Sequence, residues 1–310
     1  MKLISIVTPV YNEEENVEEI YRQVKEIFTQ LGKYRYEHIF IDNASQDRTV
    51  SILKEIASKD KNVKIIVNTR NFGHIRSPFY ALLQTKGDAA IFISADLQEP
   101  PELIKDFIKK WEEGYKVVAG IKKQSKEFFL MFAIRKFFYQ LICRLSEIEL
   151  IPNFMGFGLY DRVVVDILRK IDDPYPYFRG LISDLGFEAA KVEYVQPPRK
   201  KGKSKNNFYT LYDMAMLGIT NHSKVPLRLA TMLGFFMSVI CVLVAFGYFV
   251  YKLIYWERFS VGMAPLVIGF FYFASVQLFF IGILGEYIGS IHTQVMKRPL
   301  VIEKERINFD

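Results

Sequence analysis

The stretch from Ile91 to Glu102 reads IFISADLQEPPE. An apolar run that suits a buried strand ends at Asp96, Gln98 follows two residues later, and Pro100 and Pro101 close the turn. In an extended segment, residues two apart point the same way, so the oxygens of Asp96 and Gln98 can meet at one hard cation. Mg²⁺ and Mn²⁺ accept a site of one or two protein oxygens and take further ligands from substrate phosphates. A carboxylate at the carboxyl end of a strand is also where open α/β sheets bind their ligands.

Three further polar turns follow strand-like runs. In VTPVYNEEENVEEI, Pro9 ends the strand, Tyr11 and Asn12 form the turn, and Glu13 to Glu15 load the first turn of a helix. Those acids complement a helix dipole without any ligand, while the aromatic at the strand end also suits a nucleotide base. In IDNASQD, Asp42 stands at a strand tip and Asp47 is an expected N-cap. In NTRNFG, Arg70 is a phosphate partner and Gly73 a turn residue. Downstream, RKKGKSK gathers Arg199, Lys201, Lys203 and Lys205. This is either a solvated loop or a site for phosphates and an anionic membrane surface, worth about 1 kcal/mol per basic residue near the surface.

The elements that must carry these turns alternate in type. Strand-like runs occur at Leu3 to Val10, Glu37 to Asp42, Val63 to Asn68, Ala89 to Ser94 and Tyr115 to Ala119. Between them, segments such as Glu14 to Leu31 and Val50 to Ser58 repeat apolar residues at helical spacing. This rhythm predicts a mostly parallel sheet covered on both faces, with the turns together at one rim. The N-terminus runs straight into polar residues, as a first strand does and a signal peptide does not. Cys143 and Cys241 lie far apart within apolar runs of the 310 residues, which predicts buried free thiols with no disulfide framework.

The chain becomes far more apolar toward its end. Leu227 to Trp256 and Val261 to Ile291 each exceed the roughly 20 residues that cross a bilayer, and only the short ERFS segment lies between them. A two-helix transmembrane hairpin is expected. Lys224 and Arg228 before it, with Lys297 and Arg298 after it, put the N-terminal domain and both termini in the cytoplasm by the positive-inside bias. Residues 128 to 145 carry an apolar face broken by Arg135, Lys136, Gln140 and Arg144, which suits an interfacial helix or an amphipathic helix of the soluble core. Phe208 to Ile219 is a second candidate for the interface.

The motifs PVYNEE, IDNASQD, RNFG and ADLQEPPELI, in this order and followed by the basic loop and a hairpin ending GILGEYIG, resemble glycosyltransferase family 2. The resemblance extends over nearly the whole chain to the polyprenyl-phosphate glycosyltransferases, relatives of bactoprenol glucosyltransferases and of dolichol-phosphate mannose synthase. It implies an inverting enzyme of GT-A fold, with a Rossmann-like, mostly parallel sheet, that moves a sugar from a nucleotide donor to a polyprenyl phosphate using Mg²⁺ or Mn²⁺. Pro9, Tyr11, Glu13 and Asp42 would line the base and ribose, with Asn43 as the alternative to Asp42, and Arg70 would meet phosphate. Asp96 and Gln98 would hold the metal on the diphosphate. The basic loop, with Arg135 as a weaker addition, would take the acceptor phosphate.

Three motifs depart from the family pattern. Ser94 replaces the first acid of an Asp-Ala-Asp triplet, and Asp42-Asn43-Ala44 stands for Asn-Asp-Gly. Relatives with GDFRLMDR have an aspartate base and an arginine where MGFGLYDR has Gly156 and Gly158, so Asp184 becomes the candidate base, Arg179 a candidate acceptor cation, and Asp161 a structural acid. An ionised lipid phosphate can also attack without a base.

The expected division is a nucleotide-sugar core at 1–125, an acceptor-side part at 126–225, two transmembrane helices at 226–294 and a cytoplasmic tail at 295–310. The expected donor is UDP-glucose, with GDP-mannose and a UDP-N-acetylhexosamine open, and the expected setting is the inner membrane, with a homo-oligomer open and no nucleic acid among the partners. The rival readings are a processive polysaccharide synthase and a non-catalytic membrane scaffold of the same fold.

Overall fold

The structure, a computed structural model, describes residues 1–124, 150–197, 216–220, 223–255 and 263–309. Its first half is an alternation of β1 (Leu3–Val10), α1 (Val17–Gln30), β2 (Arg35–Asp42), α2 (Thr49–Lys59), β3 (Val63–Asn68), α3 (Gly73–Leu83), β4 (Ala89–Phe92) and α4 (Leu103–Glu112). There follow β5 (Val117–Gln124), β6 (Phe154–Asp161), α5 (Arg162–Ile171), α6 (Phe178–Asp184) and β7 (Ala189–Val195). The chain then forms α7 (Val225–Ile254), α8 (Met263–Val295) and β8 (Glu303–Ile307).

The eight strands make one sheet in the order β7-β5-β6-β4-β1-β2-β3-β8. The central strands β4, β1, β2 and β3 run parallel. Ile4 to Thr8 of β1 are all buried, as in a parallel strand covered on both faces. Helices α1, α2 and α4 cover one face and α3, α5 and α6 the other. Helix α1 illustrates the cause: Val17, Ile20, Val24, Ile27 and Phe28 recur on one stripe and are buried, with Glu18 and Glu19 in the first turn.

Two features differ from the sequence-based expectation. Strand β4 stops at Phe92 instead of Ser94, because the Ser94 N–H donates to Glu99 Oε2 at 2.7 Å and leaves the ladder. The antiparallel β6 lies between β4 and β5, pairing Ala89 with Asp161 and Val117 with Tyr160. Asp161 caps α5 by accepting from the Val163 N–H at 3.0 Å, and it also accepts from Trp111 Nε1 at 2.7 Å, a structural role as expected.

Helices α7 and α8 have 30 and 33 residues, so at 1.5 Å per residue each is longer than a 30 Å hydrocarbon core. Both are long and apolar enough to cross a membrane, and Phe235, Ile268 and Phe270 are each at least 70% exposed along them. An exposed apolar surface of this extent marks an interaction with a membrane or a partner. The helices meet near the domain, where the Tyr287 hydroxyl donates to the Ser223 carbonyl at 2.6 Å.

The tail beyond α8 is part of the same eight-stranded sheet. Strand β8 pairs antiparallel with β3, and the Asn308 amide donates to the carbonyls of Ala57 and Val63 at 2.8 and 2.9 Å. The expected separate tail at 295–310 thus contributes an edge strand. The whole of the expected interfacial helix at 128–145 and residues 208–215 of the Phe208 to Ile219 segment lie outside the described residues; 216–220 are helical.

Candidate active site

The loops after β1 and β2 are clasped together. Pro9 lies opposite Ile41 and Val10 opposite Asp42, and the Asn43 N–H continues the register by donating to the Val10 carbonyl at 3.0 Å. The Asn12 N–H donates to Ser45 Oγ at 2.8 Å and Asn12 Oδ1 accepts from the Gln46 N–H at 2.7 Å. The Glu13 N–H donates to Thr49 Oγ1 at 2.9 Å, while Asp47 Oδ1 accepts from the Thr49 N–H at 3.0 Å. Pro9, Tyr11 and Glu13 are left half-buried at this edge.

Asp42 and Asn43 act on the loops themselves. Asp42 is fully buried and accepts from the Ser45 N–H at 3.0 Å; burial pushes its carboxyl up against the lowering pull of that bond. The Asn43 side chain donates to Asn71 Oδ1 at 2.8 Å and the Gly73 carbonyl at 3.1 Å. It also accepts from the Phe72 N–H at 2.8 Å and Asn68 Nδ2 at 3.2 Å, tying the second loop to the third. The structure turns Arg70 toward the third loop, where its guanidinium lies 4.1 Å from the Phe72 ring centroid. In the sheet, β3 is three strand positions from β4, roughly 14 Å at the usual spacing, so Arg70 and Asp96 follow strands at opposite sides of the parallel block, at the same carboxyl rim.

Asn12, Ala44 and Leu97 have φ of 53°, 65° and 56°, one in each of the loops after β1, β2 and β4. Left-handed backbone at non-glycine residues is a form of strain that gathers at functional sites.

The expected extended pair at Asp96 and Gln98 is corrected by Leu97. Its positive φ makes a turn, closed by the Gln98 N–H donating to Asp96 Oδ1 at 3.2 Å. Ser94, Asp96 and Gln98 are each half-buried, while Ile93, Ala95, Leu97 and Glu99 are buried. Two half-buried oxygen donors flanking one turn are of the chemistry that suits a Mg²⁺ or Mn²⁺ ion drawing its other ligands from phosphate and water. Among the described residues no group of three His, Cys, Asp or Glu side chains could hold a metal without such help.

Behind this turn lies a carboxyl that sequence reasoning passed over. Glu99 is buried and reaches back to Ser94. Burial pushes its pKa up to about 7, opposed by the bonds from Ser94 and reinforced by the Asp96 charge. Tyr194 of β7 is buried and held above its ordinary range by burial and by the charges of Glu99 and Asp96. Tyr160 of β6 is likewise buried beside Glu99, and its hydroxyl donates to the Gly156 carbonyl at 2.5 Å. The residue before Pro100 reads as a solvated turn acid; only the insertion of β6 and the arrival of β7 cover it.

The glycines of MGFGLYDR have opposite reasons. Gly156 has φ of 99°, a left-handed conformation, and faces the Phe178 ring. Gly158 sits so close to β5 that a Cβ would come 2.3 Å from the Val118 carbonyl oxygen. An arginine side chain would have no room to leave the backbone there.

An apolar groove opens between the start of α3, the end of β4 and the start of α6. Ile75, Pro78, Phe79, Phe92, Met155 and Phe178 line it, with His74, Gly156 and Arg179 among its walls. Arg179 comes from the first turn of α6, whereas Asp184 stands exposed at the far end of that helix and is not in the groove lining. Arg135, Arg199, Lys201, Lys203 and Lys205 lie outside the described residues.

Comparison with known proteins identifies the family and the fold. The family model described as Glycosyl transferase family 2 matches residues 5–170. The chain is similar to the uncharacterized glycosyltransferase YkcC of Bacillus subtilis, with 37% identity over 307 residues, covering 99% of this chain and 94% of the relative. It is similar to the SfII prophage-derived bactoprenol glucosyl transferase of Shigella flexneri, with 35% identity over 303 residues and 97% of each chain covered. The crystal structure of a mycobacterial protein shares the fold, at a TM-score of 0.51 and 16% identity over 71% of this chain and 73% of that one.

Proposed function

The chain belongs to glycosyl transferase family 2 and is a glycosyltransferase of GT-A fold, and from that premise we propose that it transfers a sugar, with inversion, from a nucleotide sugar to a polyprenyl phosphate. The product is a lipid-linked monosaccharide made at the cytoplasmic face of the inner membrane. UDP-glucose is the first donor to test, followed by GDP-mannose and UDP-N-acetylhexosamines. The observation that carries this reading is the Asp96–Gln98 turn on a domain whose sheet is completed by β8, beyond two helices long and apolar enough to cross a membrane. A donor rim and a membrane anchor are thus parts of one folded unit. Relatives named bactoprenol glucosyl transferases match across nearly the whole chain, helices included, which supports a lipid carrier as acceptor.

Pro9, Tyr11 and Glu13 form the base and ribose edge, and Asp42 and Asn43 hold that edge in shape. Asp96 and Gln98 would hold a divalent cation, which would neutralise the charge gathering on the leaving nucleoside diphosphate. The groove beside Gly156 takes the acceptor side, with Arg179 in its wall to orient the phosphate. Arg135 and the basic loop at Arg199, Lys201, Lys203 and Lys205 add cations for the same phosphate. An oxygen of that phosphate attacks the anomeric carbon as the bond to the diphosphate breaks on the opposite side. Because the second pKa of a phosphate monoester is near 6, the nucleophile is already ionised at neutral pH. No proton has to be taken from it, which is consistent with glycine at position 156 and with an exposed Asp184.

The test is to incubate the full-length enzyme in membranes with labelled nucleotide sugars and polyprenyl phosphate, then to extract lipid. Label from one donor is expected in the lipid phase, and Asp96→Ala is expected to lower the rate roughly 10²–10³-fold. A wild type that uses no donor, or an Asp96→Ala variant at full rate, would overturn the reading.

A further inference from the structure

Three arginines converge at the corner where α8 rejoins the sheet. Arg70 and Arg76 both place their guanidinium groups over the Phe72 ring, 4.1 and 5.4 Å from its centroid. Arg76 also donates to the carbonyl of Pro299, the residue after Arg298. Burial first, and then the charges of Arg70 and Arg298, pull Arg76 below the usual guanidinium range. Among the described residues none of the three arginines has a carboxylate partner, and Arg76 Nε is buried without a hydrogen-bond acceptor. The carboxylate nearby, Asp172, faces Lys297 at 3.9 Å instead.

Like charges held together without a counter-charge are unfavourable unless an anion joins them. The corner lies on the side from which both apolar helices emerge. Arg298 is three residues past the end of α8, Gln294 of α8 donates to Asp173 Oδ1 at 2.9 Å, and Tyr287 of α8 is bonded to Ser223 at the start of α7. It is also at the β3 end of the rim, away from the Asp96 turn at β4. Guanidinium groups suit phosphate through paired N–H donors, and a basic residue near an anionic bilayer surface contributes about 1 kcal/mol.

We propose that Arg70, Arg76 and Arg298 form a binding site for the phosphate of an anionic phospholipid of the bilayer, separate from the sites for donor and acceptor. Such a lipid would fix the height of the rim over the membrane by bridging the third loop and the segment that follows α8.

The experiment uses the full-length protein in neutral phosphatidylcholine nanodiscs doped with phosphatidylglycerol, with bound lipid counted by native mass spectrometry after release. Wild type is expected to retain phosphatidylglycerol over phosphatidylcholine, and an Arg70→Gln/Arg298→Gln double variant to lose that preference at least tenfold. Both of those residues are exposed, so their replacement leaves the core intact. Arg76→Lys, which keeps the charge and loses the fork, is expected to fall between the two. Retention by the double variant would overturn the proposal, as would displacement of phosphatidylglycerol by an equal concentration of glycerol phosphate. So would unchanged lipid retention accompanied by weaker binding of the nucleotide sugar or of polyprenyl phosphate, which would assign the corner to donor or acceptor. Because the readout is retained phospholipid, it is independent of whether the enzyme turns over any sugar donor.

Discussion

Gly158 and Glu99 explain how single residues can depart from a family pattern and leave a coherent site. At Gly158 the neighbouring strand occupies the space of a Cβ, with the Val118 carbonyl 2.3 Å away, so even alanine must push β6 from β5. Overpacking of this kind costs about 1–3 kcal/mol. Gly158→Ala is expected to lower the unfolding midpoint of the detergent-solubilised protein, and Gly158→Arg to lower it further without raising activity. At Glu99 the buried carboxyl keeps its proton to about pH 7, whereas in the unfolded chain it would lose it near 4.5. The native state therefore binds more protons between those values, and its stability falls as pH rises through them, by about 3 kcal/mol in all. In metal-free protein, thermal unfolding is expected at higher temperature at pH 5 than at pH 8 through this group, and Glu99→Gln is expected to flatten that slope. Asp96 and Gln98 were legible from their types and spacing; Glu99 was not, because its burial is made by Tyr160 and Tyr194, which come from strands some 60 to 95 residues later in the chain.

Among elements, the parallel strands were the most legible. The runs at Leu3–Val10 and Val63–Asn68 have the bounds that apolar continuity predicts, since both faces of each strand are buried. The antiparallel strands were hidden for local reasons. Strand β6 contains two glycines, so it reads as a motif more than as a strand, and EKERI of β8 alternates charge with little apolar content because it lies at an edge. That edge strand covers β3, whose Ile65 and Val67 would otherwise offer unpaired backbone groups. Deleting residues 303–310 is expected to lower the unfolding midpoint and to increase aggregation measured by light scattering, as open strand edges do. Replacing Asn308 with alanine removes two hydrogen bonds to carbonyls and is expected to cost about 1–3 kcal/mol, a smaller loss measured in the same way.

For the molecule as a whole, the apolar length of the two helices was plain in the sequence, and so was their place near the end of the chain. What single-sequence patterning did not disclose is that the domain resumes after them. A topology test follows from the charge bias: with Cys143 and Cys241 replaced by serine, a cysteine placed between α7 and α8 is expected to react with a membrane-impermeant maleimide added to intact cells. A cysteine at Asp310 is expected to react only after lysis. Labelling of the tail from outside would reverse the assigned orientation. Strand β8 gives this arrangement a parity rule. Residue 303 can lie beside β3 only if the chain has crossed the bilayer an even number of times, so a molecule with one helix left uninserted or one helix alone inserted would strand its last segment on the wrong side. On the proposed topology, completion of the sheet then becomes a readout of correct insertion, because β8 pairs with β3 only in molecules in which both helices have crossed.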